Sequence, residues 1–132
     1  MLKTLATVSL LLMITATDTL IVSVHARKHV RVVNELGNGV VLNVHCRSKD
    51  DDLGVHDLQN GSYQEWSFQN NISGTTLFWC SLNWNNQQHS IEAYSTKNDD
   101  EDCEWKCWRV IKPDGAYFYI ETYNRWEQRY KW

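Results

Sequence analysis

Four cysteines, Cys46, Cys80, Cys103 and Cys107, stand in a chain whose first segment is built for export, and these two facts together constrain the fold most. Residues 1–26 carry a lone Lys3, an apolar stretch from Leu5 to Ile14, and Val24-His25-Ala26 at the end, small or modest residues at positions a signal peptidase reads. A removable signal peptide is expected there. A spanning helix needs about 20 consecutive apolar residues, and Thr15, Thr17, Asp18 and Thr19 interrupt the run. No membrane insertion of the mature chain, residues 27–132, is therefore expected. An even cysteine count in an exported domain reads as two disulfides. Cys103 and Cys107 have a C-x3-C spacing that zinc tolerates, but Cys46 and Cys80 lack a neighbouring ligand and the compartment is oxidising, so no metal is expected.

The mature length suits one domain with a modest core, the situation in which exported proteins add disulfides. Seven Trp, six Tyr and three Phe all fall after residue 26, too much ring area for a disordered tail. Loss of Lys3 and Asp18 with the leader keeps the net charge at −3. No basic face points to nucleic acid.

Apolar alternation places the strands. Val30 and Val32, then Val40, Leu42 and Val44, flank Gly37-Asn38-Gly39 and predict two strands joined by a tight hairpin. Cys46 continues the buried phase of Val44. A third strand over residues 62–68 puts Trp66 and Phe68 on one face, and residues 75–84, apolar on both faces, predict a central strand. Further strands are expected over residues 89–95, 105–111 and 116–120, with Pro113-Asp114-Gly115 as the turn between the last two. Residues 123–132 read as a last strand or a short amphipathic end. The sum is an all-β fold, a small antiparallel β-sandwich of seven to eight short strands stapled by two disulfides.

Residues that carry chemistry are sparse. His29, His45, His56 and His89 lie in no nucleophile or zinc-hydrolase motif, and His45 with His89 is the sole acid–base pair worth weighing. No catalytic residue and no cofactor is expected. Consecutive Asp50, Asp51 and Asp52 lack the alternate spacing of a calcium loop and read as a solvated turn, and Asp99, Asp100, Glu101 and Asp102 as an exposed acidic face. Asn60-Gly61-Ser62 and Asn71-Ile72-Ser73 are glycosylation sequons in turns. Trp84, Trp105, Trp126 and Trp132, near strand ends, suit a sugar-stacking platform, whereas Trp66, Trp79 and Trp108 read as core. A secreted carbohydrate- or cell-wall-binding module is thus the alternative function.

One ordered set of motifs says more. His45-Cys46-Arg47-Ser48-Lys49-Asp50-Asp51-Asp52-Leu53-Gly54, Thr75-Thr76-Leu77-Phe78-Trp79-Cys80 followed by Trp84, Cys103-x3-Cys107-Trp108 and Asp114-Gly115-x-Tyr117 together resemble the plant self-incompatibility protein S1 family, the S-protein homologues. The resemblance implies a small secreted plant β-sandwich with disulfides, no enzyme activity and no cofactor. For the founding members it implies a pistil-secreted ligand recognised by a pollen receptor, and the four cysteines match the family's framework.

The expected function is an extracellular ligand, a monomer, for a cell-surface receptor protein. Its candidate recognition loops are residues 49–56 (Lys49, Asp50, Asp51, Asp52), residues 85–88, and residues 97–104 (Asp99, Asp100, Glu101, Asp102), since loops on a rigid scaffold display specificity. Three disulfide pairings are open. The favoured one sends each late cysteine back to an earlier strand, Cys46 with Cys107 and Cys80 with Cys103, the rival being Cys46 with Cys80 and Cys103 with Cys107.

Overall fold

The computed structural model describes residues 27–132, and the expected signal peptide lies outside the described residues. Nine strands run in order: β1 (Lys28–Asn34), β2 (Leu42–Arg47), β3 (Asp52–Leu58), β4 (Tyr63–Phe68), β5 (Leu77–Trp84), β6 (Gln87–Ser95), β7 (Lys106–Lys112), β8 (Gly115–Ile120) and β9 (Arg125–Lys131). A one-turn helix α1 (Thr96–Asp99) follows β6, and a 3-10 turn (Glu121–Tyr123) precedes β9. They form a five-stranded sheet, β4-β1-β7-β8-β9, and a four-stranded sheet, β3-β2-β5-β6.

Alternation in the sequence becomes the core between the sheets. Val30 and Val32 of β1, Leu42 and Val44 of β2, Leu82 of β5 and Ile111 of β7 are buried on the facing sides, each such side chain contributing roughly 1.5–3 kcal/mol. β5 is interior to its sheet, as its two apolar faces predict. The expected all-β sandwich with two disulfides is the observed fold. One strand pair departs from the antiparallel rule, because β1 lies parallel to β7, His29 opposite Lys106 and Val32 opposite Arg109.

The hairpin expected around Gly37-Asn38-Gly39 does not form. β1 and β2 belong to different sheets, and residues 35–41 are the corner that carries the chain across the core. The turn residues act as expected locally, with positive φ at Gly37, Asn38 and Gly39, a region that side chains with a Cβ seldom adopt. What directs the corner is Asn34, fully buried, whose Nδ2 donates to the carbonyls of Val40 and Leu58 while its Oδ1 accepts from Leu36 N. A second correction concerns residues 52–58, expected within a loop. They form edge strand β3, paired with β2 across a bulge near Gly54, whose φ is +80°.

The disulfides also differ from the favoured pairing. Cys46 bonds Cys80 and Cys103 bonds Cys107. Cys46 and Cys80 are directly opposite on neighbouring strands β2 and β5, so their sulfurs meet across the ladder. Cys103 and Cys107 close a short ring at the start of β7. Three amides of that ring, from Glu104, Trp105 and Lys106, donate to Glu121 Oε1 at 2.9, 2.8 and 3.2 Å. Burial pushes the Glu121 carboxyl up, but these three hydrogen bonds outweigh it and hold it below the ordinary value.

Candidate recognition surface

Strand direction sorts the connections onto two ends of the sandwich. Arg47 pairs with both Asp52 and Trp79, and Leu77 with Ser95, which brings the β2–β3 turn, the start of β5 and the end of β6 together. Phe68 pairs with Lys28, and His29 with Lys106, which adds the end of β4 and the starts of β1 and β7. Residues 48–51, 69–76 and 96–105 therefore share one end. Residues 35–41, 59–62, 85–86 and 113–114 occupy the other.

The first acidic loop is a compact turn. Ser48 N donates to Asp51 O, and Asp51 N to Ser48 Oγ, an arrangement that Ser favours because its hydroxyl replaces a backbone partner. Lys49, Asp50 and Asp51 are exposed on it. Asp52 opens β3, its Oδ1 accepting from Gly54 N at 2.9 Å and lying 2.7 Å from His45 Nε2. The Gly54 amide, then the His45 ring, hold the Asp52 carboxyl below its ordinary value. Between this turn and residues 69–79 lies a cleft of about 630 Å3, with Lys49, Asp50 and Asp51 on one wall and Asn71, Ser73 and Trp79 on the other.

The second acidic segment is not the uniformly exposed face expected. Asp99 is only 2 % exposed. It closes α1 by accepting from Ser95 N at 2.8 Å, while its other oxygen faces Arg109 Nη2 at 3.6 Å and Arg129 Nη1 at 3.3 Å. Arg109, 1 % exposed, donates Nε to Ala93 O and lies over Phe118. Burial pulls its guanidinium down to about 10, opposed by the charge of Asp99. Asp102 also pairs with Arg129, at 3.5 Å. Carboxylates inside a fold need such partners, and a run of acids in sequence does not reveal which one faces the cations. Asp100 and Glu101 stay exposed. Asp100 pairs with the buried Lys28 at 3.2 Å and accepts from Asn70 Nδ2 at 2.7 Å, so loop 69–76 is tied to the second acidic segment.

Of the eight acidic-loop candidates, the structure thus gathers Lys49, Asp50, Asp51, Asp52, Asp100 and Glu101 at one exposed end, with Asp102 half-buried and Asp99 removed to the interior. Sequence reasoning missed the contributions of Asn70 and Trp79, and for Asn70 the signal was its place beside a sequon in a polar turn. Residues 85–88 do not join them. Asn85 and Asn86, both at positive φ, make a two-residue turn at the opposite end, and Gln87 already begins β6. The sequons divide likewise: Asn71 is exposed at the acidic end, where its Oδ1 accepts from Thr75 N and Ser73 Oγ, and Asn60 is exposed at the other, accepting from Gly37 N.

His45 and His89 lie on opposite faces of the four-stranded sheet. His45 follows the outward phase, and His89, opposite Leu82, stacks on Trp132 at 4.5 Å. Among the described residues no group of three His, Cys, Asp or Glu is arranged to hold a metal. The tryptophans also divide differently from expectation. Trp84 is buried against His89 and Trp132, whereas Trp108, read as core, lies on the outer face of the five-stranded sheet because Cys107, Arg109 and Ile111 take the inward phase.

Comparison with known proteins gives a consistent result. The family model described as plant self-incompatibility protein S1 matches residues 29–132. S-protein homolog 2 of Arabidopsis thaliana is 37 % identical over 112 residues, covering 81 % of this chain and 69 % of that protein. Self-incompatibility protein S1 of Papaver rhoeas is 34 % identical over 100 residues, covering 74 % of this chain and 72 % of that protein. Among solved structures, a self-incompatibility protein homologue, of a widespread family described as small, highly stable, secreted proteins from plants, superposes with a TM-score of 0.63 at 22 % identity, covering 80 % of this chain and 94 % of that one.

Proposed function

The chain belongs to the plant self-incompatibility protein S1 family, small secreted plant proteins, and from that premise we propose that it acts as an extracellular ligand for a cell-surface receptor, with no chemistry of its own. The family is not a known enzyme family. One observation carries the reading: both acidic segments converge on one end of a rigid sandwich, where Lys49, Asp50 and Asp51 form one wall of an open cleft. A ligand whose tip is acidic suits a receptor surface with positive charge, associating faster and more tightly at low salt.

The test is saturable binding of the labelled, oxidised protein to intact plant cells. Binding should weaken as salt rises, and the triple change Asp50→Asn, Asp51→Asn, Asp52→Asn should lower affinity about tenfold with little change in the unfolding midpoint. Unchanged affinity at low salt would remove this end from the interaction. Asn60 and Asn71 are proposed to carry glycans, which a mass shift on enzymatic deglycosylation of the plant-expressed protein would register at one or both sites. A glycan on Asn71 stands at the mouth of the cleft, so its removal is expected to raise receptor affinity.

A further inference from the structure

The outer face of the five-stranded sheet carries a row of aromatic and cationic side chains that neither the core nor the acidic end uses. Register sets the row. Arg31 stands opposite Glu65 on β4 and Trp108 on β7, and Tyr119 on β8 stands opposite Trp126 on β9. The Arg31 guanidinium lies over the rings of Tyr63 and Trp108, 4.1 and 4.8 Å from their centroids. Trp108 and Tyr119 are 5.7 Å apart between centroids, and Tyr119 and Trp126 are 5.2 Å apart. Lys106 lies over Trp108. Strand spacing makes the row roughly 19 Å long. Its two extremes are open: Tyr63 is 49 % exposed and Trp126 48 %.

We propose that this face binds an acidic polysaccharide, a polyuronate, across β4, β1, β7, β8 and β9. The aromatic faces carry partial negative charge and attract the weakly positive C–H faces of pyranose rings. Arg31, Lys106 and Lys112 supply the cations for uronate carboxylates. Among the described residues the Arg31 side chain makes one hydrogen bond, Nε to Glu65 at 2.9 Å, which leaves its terminal amino groups as donors to an outside acceptor. Of the acidic side chains on this face, Glu65 is held by Arg31 and Asp114 accepts from the Tyr117 hydroxyl; Glu35 lines a hollow of about 200 Å3 with Lys112, Tyr117 and Trp126. That hollow is too small for a typical small-molecule site, roughly 300–1,000 Å3, whereas an extended chain lies along the surface. Successive rings are tilted by 30° and 50°, a twist that a glycan follows through rotation at each linkage and a planar bilayer does not.

This binding is separate from the receptor reading, since it uses a sheet face and not the acidic end. The experiment titrates the oxidised full mature protein with polygalacturonate without divalent cations, read by tryptophan fluorescence and calorimetry, beside neutral galactan and phosphatidylglycerol vesicles. Polygalacturonate should bind and weaken with salt. Trp126→Ala and Lys106→Glu, both at exposed positions, should each weaken it about tenfold. Val55→Ser on the other sheet and the triple Asn variant of the acidic end should leave it unchanged. Absence of binding, full binding by both face variants, equal affinity for neutral galactan, or a preference for the vesicles would each overturn the proposal.

Discussion

The two ends of the sandwich hold themselves together by different means. At the end with residues 35–41, 59–62, 85–86 and 113–114, the backbone does the work: three of the four connections are short, and Asn and Gly at positive φ reverse the chain. The Asn34 side chain ties the longer corner to β3. At the acidic end the connections are longer, and their bases are locked from beneath. Cys103–Cys107 and Asp99 with Arg109 and Arg129 anchor residues 96–105, Cys46–Cys80 joins the strands beside residues 48–51, and Asn70 ties residues 69–76 to Asp100. Cross-links stand where turns do not suffice, and this frees the loop tips, Lys49 to Asp51 and Asp100 to Glu101, to carry any charge that recognition requires.

The contrast is sharpest in the long disulfide. Replacing Cys46 and Cys80 together by Ala opens a loop of sequence separation 34 and should lower stability by about 4 kcal/mol, read by urea denaturation, against about 2 kcal/mol for the Cys103 and Cys107 pair. Equal losses would show that loop entropy is not what these bonds contribute. Next comes Asp99→Ala, which takes from the buried Arg109 its paired carboxylate while Arg129 keeps Asp102. A loss of about 3 kcal/mol is expected, with loop 96–105 gaining hydrogen exchange before the core does.

At the opposite end, Asn34→Ala removes two donated and one accepted hydrogen bond from a buried side chain, for about 2 kcal/mol by the same denaturation measurement. A cost above that of Asp99→Ala would invert the comparison. The smallest effect is acid-dependent. Because the folded Glu121 carboxyl is held below its ordinary value, its contribution is present above the ordinary glutamate range and is lost as the pH falls through the lower folded value. Glu121→Gln should therefore flatten the acid limb of stability against pH, leaving little change in the slope near neutrality.

Much of this was legible before any coordinates. β5, β6 and β8 follow from alternation, and the turn at Pro113-Asp114 from its residue types. What escaped was non-local. Trp108 sits one residue from Cys107, and only the inward aim of Cys107, Arg109 and Ile111 puts its ring on the outside. Asp99 has the same neighbours in sequence as a surface acid, and its burial depends on cations from β7 and β9. β3 reads as loop because edge strand residues 52–57 are mostly exposed and lack apolar alternation.

Local order was thus in the sequence: strand periods, turn chemistry, the cysteine count, and the ordered motifs that mark the S1 family. Pairing was not. Whether Gly37-Asn38-Gly39 closes a hairpin or turns a corner depends on which sheet receives β2, a long-range choice that residue types at the turn do not encode. Cys46 finds Cys80 because β2 and β5 lie side by side across two intervening strands, and Asp50 comes to line the same cleft as Asn71 for the same reason. Side-chain period and turn preference act over a few residues, whereas strand order is set by the whole core at once, and so the surfaces of this protein were decided only by its tertiary structure.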